Sequence, residues 1–414
     1  MANELLNPVA IAAASLIRLE NNTVMMKMVN REYDDKFAVP NEKVGYTYNA
    51  RLPVRLRGRR GDGMKPEPVR EQLVPISINE LWGQDLQMTD QDLTLTIDRF
   101  GERYVEAAVA TIANMIDGDL CDQYLNVFSH TGTVATPPTS VATYAQAGVE
   151  LANNACPKTT SQLALVVNPD MEANALGFGS NLFNPAKTVG EQYLTGKMGV
   201  AVGFRWNSDQ NVGRQTVGLC ASSTPLVNGA NQTGASIITD GWAVSTQVLN
   251  KGDIVAFGLT NGVNPISYRD TGRKRTFVVT ADVTSDSSGN ATIPVAPDLN
   301  PDTTSPFQTV MNSPANDAQV FVYGVTGSTA LGNISGLSTA QALAFHKDAF
   351  TIAVVKQELP GGMEWSEFAA NPKAGLWIRL VRGYLMGTNE KATRLDVLGG
   401  VKTLRPELAC RVSG

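Results

Sequence analysis

Residues 98–128 read DRFGERYVEAAVATIANMIDGDLCDQYLNVF, and their spacing decides what the rest of the chain must do. Phe100, Tyr104, Ala108, Ile112, Met115, Ile116, Leu120, Tyr124 and Phe128 recur mostly three or four apart. Asp98, Arg99, Glu102, Arg103, Glu106, Asp117, Asp122 and Asn126 fill much of the opposite side. The pattern predicts one amphipathic helix over Asp98–Phe128, about 45 Å long at 1.5 Å per residue. Arg99 with Glu102 and Arg103 with Glu106 stand one turn apart and support the solvated side. Gly118 is the weak point, at about 1 kcal/mol relative to Ala. A helix of this length needs a surface to lie on, and the chain offers strands on either side of it.

Upstream, Val44, Tyr46, Tyr48, Ala50, Leu52, Val54 and Leu56 alternate with polar residues, Gly45 and Pro53, which predicts a long half-buried strand. Pro53 lacks a ladder donor and places that strand at an edge. Val74, Ile76 and Ile78 bring the chain back at period two, and the Gly- and Pro-rich RGRRGDGMKPEPV between them makes a tip. A two-stranded arm is marginal alone in water, so its apolar face calls for a cover, such as a second copy of the chain. Pro8–Glu20 reads as a short helix. Leu93, Leu95 and Ile97 read as a strand feeding the long helix.

Downstream, Val141–Asn154 reads as a helix, Gln162–Val167 as a buried strand, and Pro169-Asp170 as a helix start capped by Asp170. Val189–Met198 reads as a helix and Val200–Trp206 as a strand, giving a mixed α/β body. From Ser222 to about Ala342 helical periodicity vanishes. Strand signals at Gly241–Ser245, Ile254–Leu259, Thr276–Val283, Ala291–Val295 and Gln319–Val325 alternate with turn clusters such as Asn261-Gly262, Ser287–Asn290 and Asp298–Pro301. That texture predicts a small β-barrel or sandwich inserted into the body. Strands at Phe350–Glu358, Leu376–Val381 and Leu395–Val397, with turns at Pro360–Gly362 and Gly399-Gly400, close the chain.

Composition narrows the function. With 414 residues, 43% hydrophobic and 18% charged, the chain is globular and long enough for several domains. A net charge of −5 argues against a surface devoted to nucleic acid. Cys121, Cys156, Cys220 and Cys410 have no paired short spacing and suit incidental thiols in a reducing compartment. The N-terminus carries no export pattern and no apolar run reaches membrane-spanning length, so a cytosolic, membrane-free chain is expected.

Chemistry is sparse. His130 and His346 lie far apart in sequence, with His130 just past the helix end, where a protonated imidazole would be favoured. Nucleophile-elbow, P-loop and dinucleotide signatures are absent, and Asp and Glu show no metal-loop spacing. No catalytic, cofactor or metal residue is assigned. Arg51, Arg55, Arg57, Arg59, Arg60, Lys65 and Arg70 form a basic cluster around the arm tip, opposed locally by Asp62 and Glu67. Contact with acidic patches on a neighbouring subunit is the favoured role. Nucleic-acid contact and a solvated tip that keeps an edge from aggregating are the alternatives.

The order of elements resembles that of tailed-bacteriophage major capsid proteins of the Hong Kong 97-type fold, and more narrowly the P-twenty-two-type podophage coat proteins with their inserted domain. LNKGDIVAFGLTNGVN (249–264), TFVVTADVTSDSSGNATIPVAP (276–297) and ALAFHKDAFTIAVVKQELP (342–360) carry the local similarity. The resemblance implies an α+β fold with a spine helix on a β platform, a hairpin arm, a mixed body and an inserted barrel. The implied divisions are an N-terminal arm (1–31), an extended loop (32–89), a peripheral domain (90–139 and 343–414), an axial domain (140–221) and the inserted domain (222–342). It further implies a non-enzymatic coat subunit that forms pentamers and hexamers of an icosahedral shell around double-stranded DNA, which it touches only non-specifically. Assembly in the host cytoplasm, a scaffolding protein, a portal and room for a decoration protein belong to the same implication. A tail-tube or other repeated virion protein is the alternative, followed by a hydrolase with an accessory β domain.

Overall fold

The computed structural model describes residues 15, 19, 23–32, 47–58, 61–64, 66–67, 69–89, 104, 106–182, 198–371, 376–387 and 390–414. They fall into two compact units, one of residues 1–51, 73–120 and 350–404, the other of 52–72, 121–349 and 405–414. Both are mixed α+β and strand-rich.

The expected long helix runs over Glu106–Cys121, and a 3-10 turn follows over Asp122–Asn126. The chain is extended again at Val127, so the α-helix ends short of Phe128. Residues 98–103 and 105 of the expected helix lie outside the described residues. Ala108, Val109, Ile112, Ala113, Ile116 and Leu120 are buried, a face at the 3.6-residue period. Tyr104 and Met115, expected on that face, are exposed. Asp117, expected in solvent, is buried and accepts the backbone N–H groups of Val24 (2.5 Å) and Met26 (3.2 Å). It thereby serves the free donors at the start of the 3-10 turn Met25–Lys27, which has no side-chain cap of its own. Ser15 and Leu19, helical and buried, belong to the expected Pro8–Glu20 helix, whose other residues lie outside the described ones. The expected strand at Leu93–Ile97 lies there too.

The arm base pairs Thr47–Arg51 with Leu73–Ser77, antiparallel, with Ala50 opposite Val74. Ala50, Ile76, Ile78, Ala353 and Leu404 form its core. The strand expected to run to Leu56 stops at Arg51, with one further rung from Leu52 N–H to Gln72 C=O before Pro53 ends the donors. Glu390–Thr403 is the central strand of a five-stranded antiparallel sheet. Leu376–Leu385, itself paired to Trp365–Asn371, lines one edge of it; Glu80–Thr89 and Phe350–Val355 share the other. Gly399-Gly400, expected as a turn, lie inside this strand. A Cβ at Gly400 would stand 1.9 Å from the Ser77 carbonyl oxygen, so glycine here admits a crossing backbone.

In the second unit a mixed sheet takes the order His130–Gly132, Ala409–Ser413, Ser338–His346, Leu163–Val167, Phe204–Ser208, Val200–Ala201. Its first and fourth pairings are parallel. Two helices accompany it. Val141–Asn153 is capped by Ser140, and Pro169–Leu182 by Asn168, whose Oδ1 accepts Met171 N–H at 2.9 Å. The cap is therefore Asn168, two residues before the expected Asp170, and Asp170 is a first-turn acid. Val200–Trp206, expected as one strand, is a hairpin turned at Val202 and Gly203, both at positive φ. The expected helix Val189–Met198 lies outside the described residues except for Met198, which is not helical.

A six-stranded antiparallel sheet occupies 226–322 in the order Val320–Val322, Ile254–Val263, Asp270–Val279, Ala291–Leu299, Gly234–Asp240, Leu226–Val227. Val227 N–H also donates to Ala318 C=O, and Asp317 N–H to Val227 C=O, both at 2.9 Å. These rungs bring the last strand of that order beside the segment leading into the first. Ile237, Phe257, Phe277, Ile293 and Val320 fill the interior. Gly241–Ser245 is not a strand, since Gly241 and Ser245 both turn at positive φ. Asn261-Gly262, expected as a turn, continues Ile254–Val263 past an irregularity at Leu259, which is itself at positive φ.

Candidate inter-subunit surface

Residues 52–72 have no regular secondary structure where described. Their backbone is held across the tip by Glu67, whose two carboxylate oxygens accept Arg57 N–H at 3.0 and 3.3 Å. Val54, Leu56, Met64 and Val69 remain exposed, Met64 at 89%. Apolar side chains concentrated on one irregular segment are the strongest exposed feature of this stretch.

Two of the arm's arginines engage their own chain. Arg55 Nη2 reaches Glu407 Oε1 at 2.8 Å, and Arg405 Nε meets the same oxygen at 3.1 Å. Arg57 donates to Ser305 C=O at 3.0 Å, to Thr303 C=O and to Gln308 Oε1. Its guanidinium carbon lies 4.0 Å from the centroid of the Tyr268 ring. Burial pushes the Tyr268 hydroxyl up, against the pull of Arg57 and Arg55. Arg51 and Arg70 are exposed. Arg59, Arg60 and Lys65 lie outside the described residues. The receiving residues Tyr268, Thr303, Ser305 and Gln308 were not singled out from the sequence; the turn cluster Asp298–Pro301 was the one signal near them.

The histidines do not meet at a common partner. His130 Nε2 lies 2.8 Å from Ser413 Oγ, and its ring meets Tyr323 edge-on; His346 Nε2 lies 3.0 Å from Gln162 Oε1. Burial, with Arg411 beside it, pulls His130 down to about 3, so the imidazole is neutral and the protonated form expected at the helix end does not arise. Asp253 sits in the same polar centre and accepts from Gly218 N–H, Asn250 N–H and Gln215 Nε2. Burial nonetheless pushes its carboxyl up to about 6. Arg411 is fully buried with its guanidinium 5.7 Å from the Tyr124 ring. The four cysteines are buried and form no disulfide. Among the described residues no three His, Cys, Asp or Glu side chains group to hold a metal ion, and no helix is long and apolar enough to cross a membrane.

No protein family matches the chain, and no curated protein does. Among solved structures, that of Mycobacterium phage Che8 aligns over 94% of this chain and 90% of its own, at 14% identity and a TM-score of 0.48. The capsid of Ralstonia phage GP4 aligns over 94% and 87%, at 9% identity and TM-score 0.46. The capsid of cyanophage P-SCSP1u aligns over 93% and 88%, at 11% and 0.45. Likenesses this remote do not by themselves assign a function.

Proposed function

We propose that the chain is the major capsid protein of a tailed double-stranded DNA bacteriophage, a non-enzymatic subunit that self-assembles into an icosahedral shell. The observation that carries this reading is the arm: Val54, Leu56, Met64 and Val69 are held out on an irregular segment whose base is firmly paired. Exposed apolar groups on a braced arm are the features of a surface completed by another copy of the chain. Arg51, Arg59, Arg60, Lys65 and Arg70 are the basic groups we assign to acidic patches of that copy, and Arg55 and Arg57 contact their own chain. The long helix, the arm and the strand-rich sheets support the Hong Kong 97-type architecture of the resemblance. The ring of six strands over 226–322, with its extra rungs at Val227, supports a closed barrel inserted in the P-twenty-two manner at about 222–342. Pentamers and hexamers, a scaffolding protein, a portal, a decoration protein, non-specific contact with packaged DNA and assembly in the host cytoplasm follow from that reading.

Electron microscopy of the purified chain tests it. Closed shells with local five- and six-fold clusters are expected; open tubes would favour a tail component, and a monodisperse monomer would refute the proposal.

A further inference from the structure

The acceptors around Arg57 form a cup that is built without it. Asn300 Oδ1 receives Asp302 N–H, and Asn300 Nδ2 donates to Ser305 Oγ and Phe307 C=O, which shapes the loop 300–307. Tyr268 Oη donates to Pro306 C=O at 3.1 Å, fixing the ring as one wall. Gln308 is 4% exposed, and its Nε2 donates to Val310 C=O at 3.0 Å. That bond turns Oε1 toward the guanidinium. Without Arg57, a buried acceptor would have no other described partner.

The cup therefore presents two backbone carbonyls, one amide oxygen and one aromatic face to the guanidinium, with the Asp302 carboxylate of the same loop near enough to interact with its charge. Such a set matches a planar fork of N–H groups that also stacks. An ammonium is a compact point donor, which satisfies fewer of these acceptors from one position. Glu67, bonded to Arg57 N–H, ties the opposite limb of the arm to the same residue.

We infer that the loop 300–308 with Tyr268 is an arginine-specific receptor whose occupant is Arg57 of the same chain, and that this latch orders the arm before any second copy arrives. An irregular segment of this length is costly to immobilise, and an arm already fixed loses less freedom on docking. The inference concerns the unassembled chain, so it stands or falls separately from shell formation.

Hydrogen–deuterium exchange on the unassembled full chain tests it with Arg57→Ala and Arg57→Lys. Both variants should speed exchange across 52–72 by about tenfold, since charge-assisted bonds are lost. Exchange in the sheet containing Glu390–Thr403 should stay unchanged, which controls for misfolding. Full protection in Arg57→Lys would overturn the arginine specificity, and full protection in Arg57→Ala would overturn the latch. In a second measurement, exposed sites are paired as Leu56→Cys and Thr304→Cys and treated with a short thiol-reactive bifunctional linker. A bridged product of monomer mass is expected; a dimer on a denaturing gel would place the occupant on a neighbouring chain and overturn the inference.

Discussion

Asp117 accepts the backbone N–H of Val24 at 2.5 Å, so a carboxylate in the helix Glu106–Cys121 caps a turn 93 residues earlier in the chain. The same carboxylate takes Met26 N–H. The segment 23–32 continues to the edge strand Phe350–Val355, where Asn30 N–H donates to Phe350 C=O and Thr351 Oγ1 donates to Asn30 C=O. Asp117→Ala strands two donors and should cost about 1–3 kcal/mol. Urea unfolding measures the loss, and faster exchange confined first to 23–32 would identify its source.

Gly83 lies directly across from Asp396, and its missing side chain makes room for that carboxylate. A Cβ there would stand 2.7 Å from Asp396 Oδ1 and 3.1 Å from the Leu395 carbonyl oxygen. Asp396 is fully buried and holds Arg379 Nη2 at 2.6 Å and Arg394 Nε at 2.8 Å. Gly83→Ala should therefore destabilise by about 1–3 kcal/mol through overpacking. Asp396→Ala, which leaves Arg379 without its carboxylate, should cost about 3 kcal/mol or more. Thermal unfolding of the two variants should rank them in that order.

Asp253 and His130 make opposite contributions to pH dependence. The Asp253 carboxyl is held up at about 6, so the folded chain keeps a proton that the unfolded chain has released. Its contribution is fully present below about pH 4 and is lost as pH rises through 6. His130 is held down at about 3, so its contribution is fully present above about pH 6.5 and is lost as pH falls. Asp253→Asn should gain on the parent chain between about pH 4 and 7, by up to about 3 kcal/mol. His130→Gln should flatten the acid side of the profile instead. Urea midpoints measured across that range check both signs.

Arg51 and Arg70, two of the basic residues proposed to meet a neighbour, are exposed, so their contribution must be screened by salt. Reversing Arg51 and Arg70 to Glu should weaken association most at low ionic strength and little at high. Light scattering against salt concentration gives the comparison, and an identical salt slope for parent and variant would remove these two residues from the contact.

The parts of the fold legible in the sequence were those set by local periodicity. Tyr48 and Ala50 alternate as read, Ile112, Ile116 and Leu120 fall on one helical face, and Leu163–Val167 is a wholly buried strand. What the sequence hid was set by partners far along the chain. Gly399-Gly400 has turn composition, yet the Ser77 backbone crossing above it requires glycine inside a strand. Asp117 has the polarity of a solvated position, and only the arrival of Val24 and Met26 makes it a buried cap. At the candidate surface the arm's arginines were legible as a cluster, whereas the acceptors for Arg57 are mostly backbone carbonyls, which leave no residue-type signal.

Sedimentation velocity of the parent chain beside a form lacking residues 54–69 tests most directly whether the arm's apolar side chains are covered by other copies of the chain. The account predicts fast, closed particles for the parent and a folded monomer for the deletion. A parent that stays monomeric as concentration rises, or a deletion that forms the same particles, would contradict it.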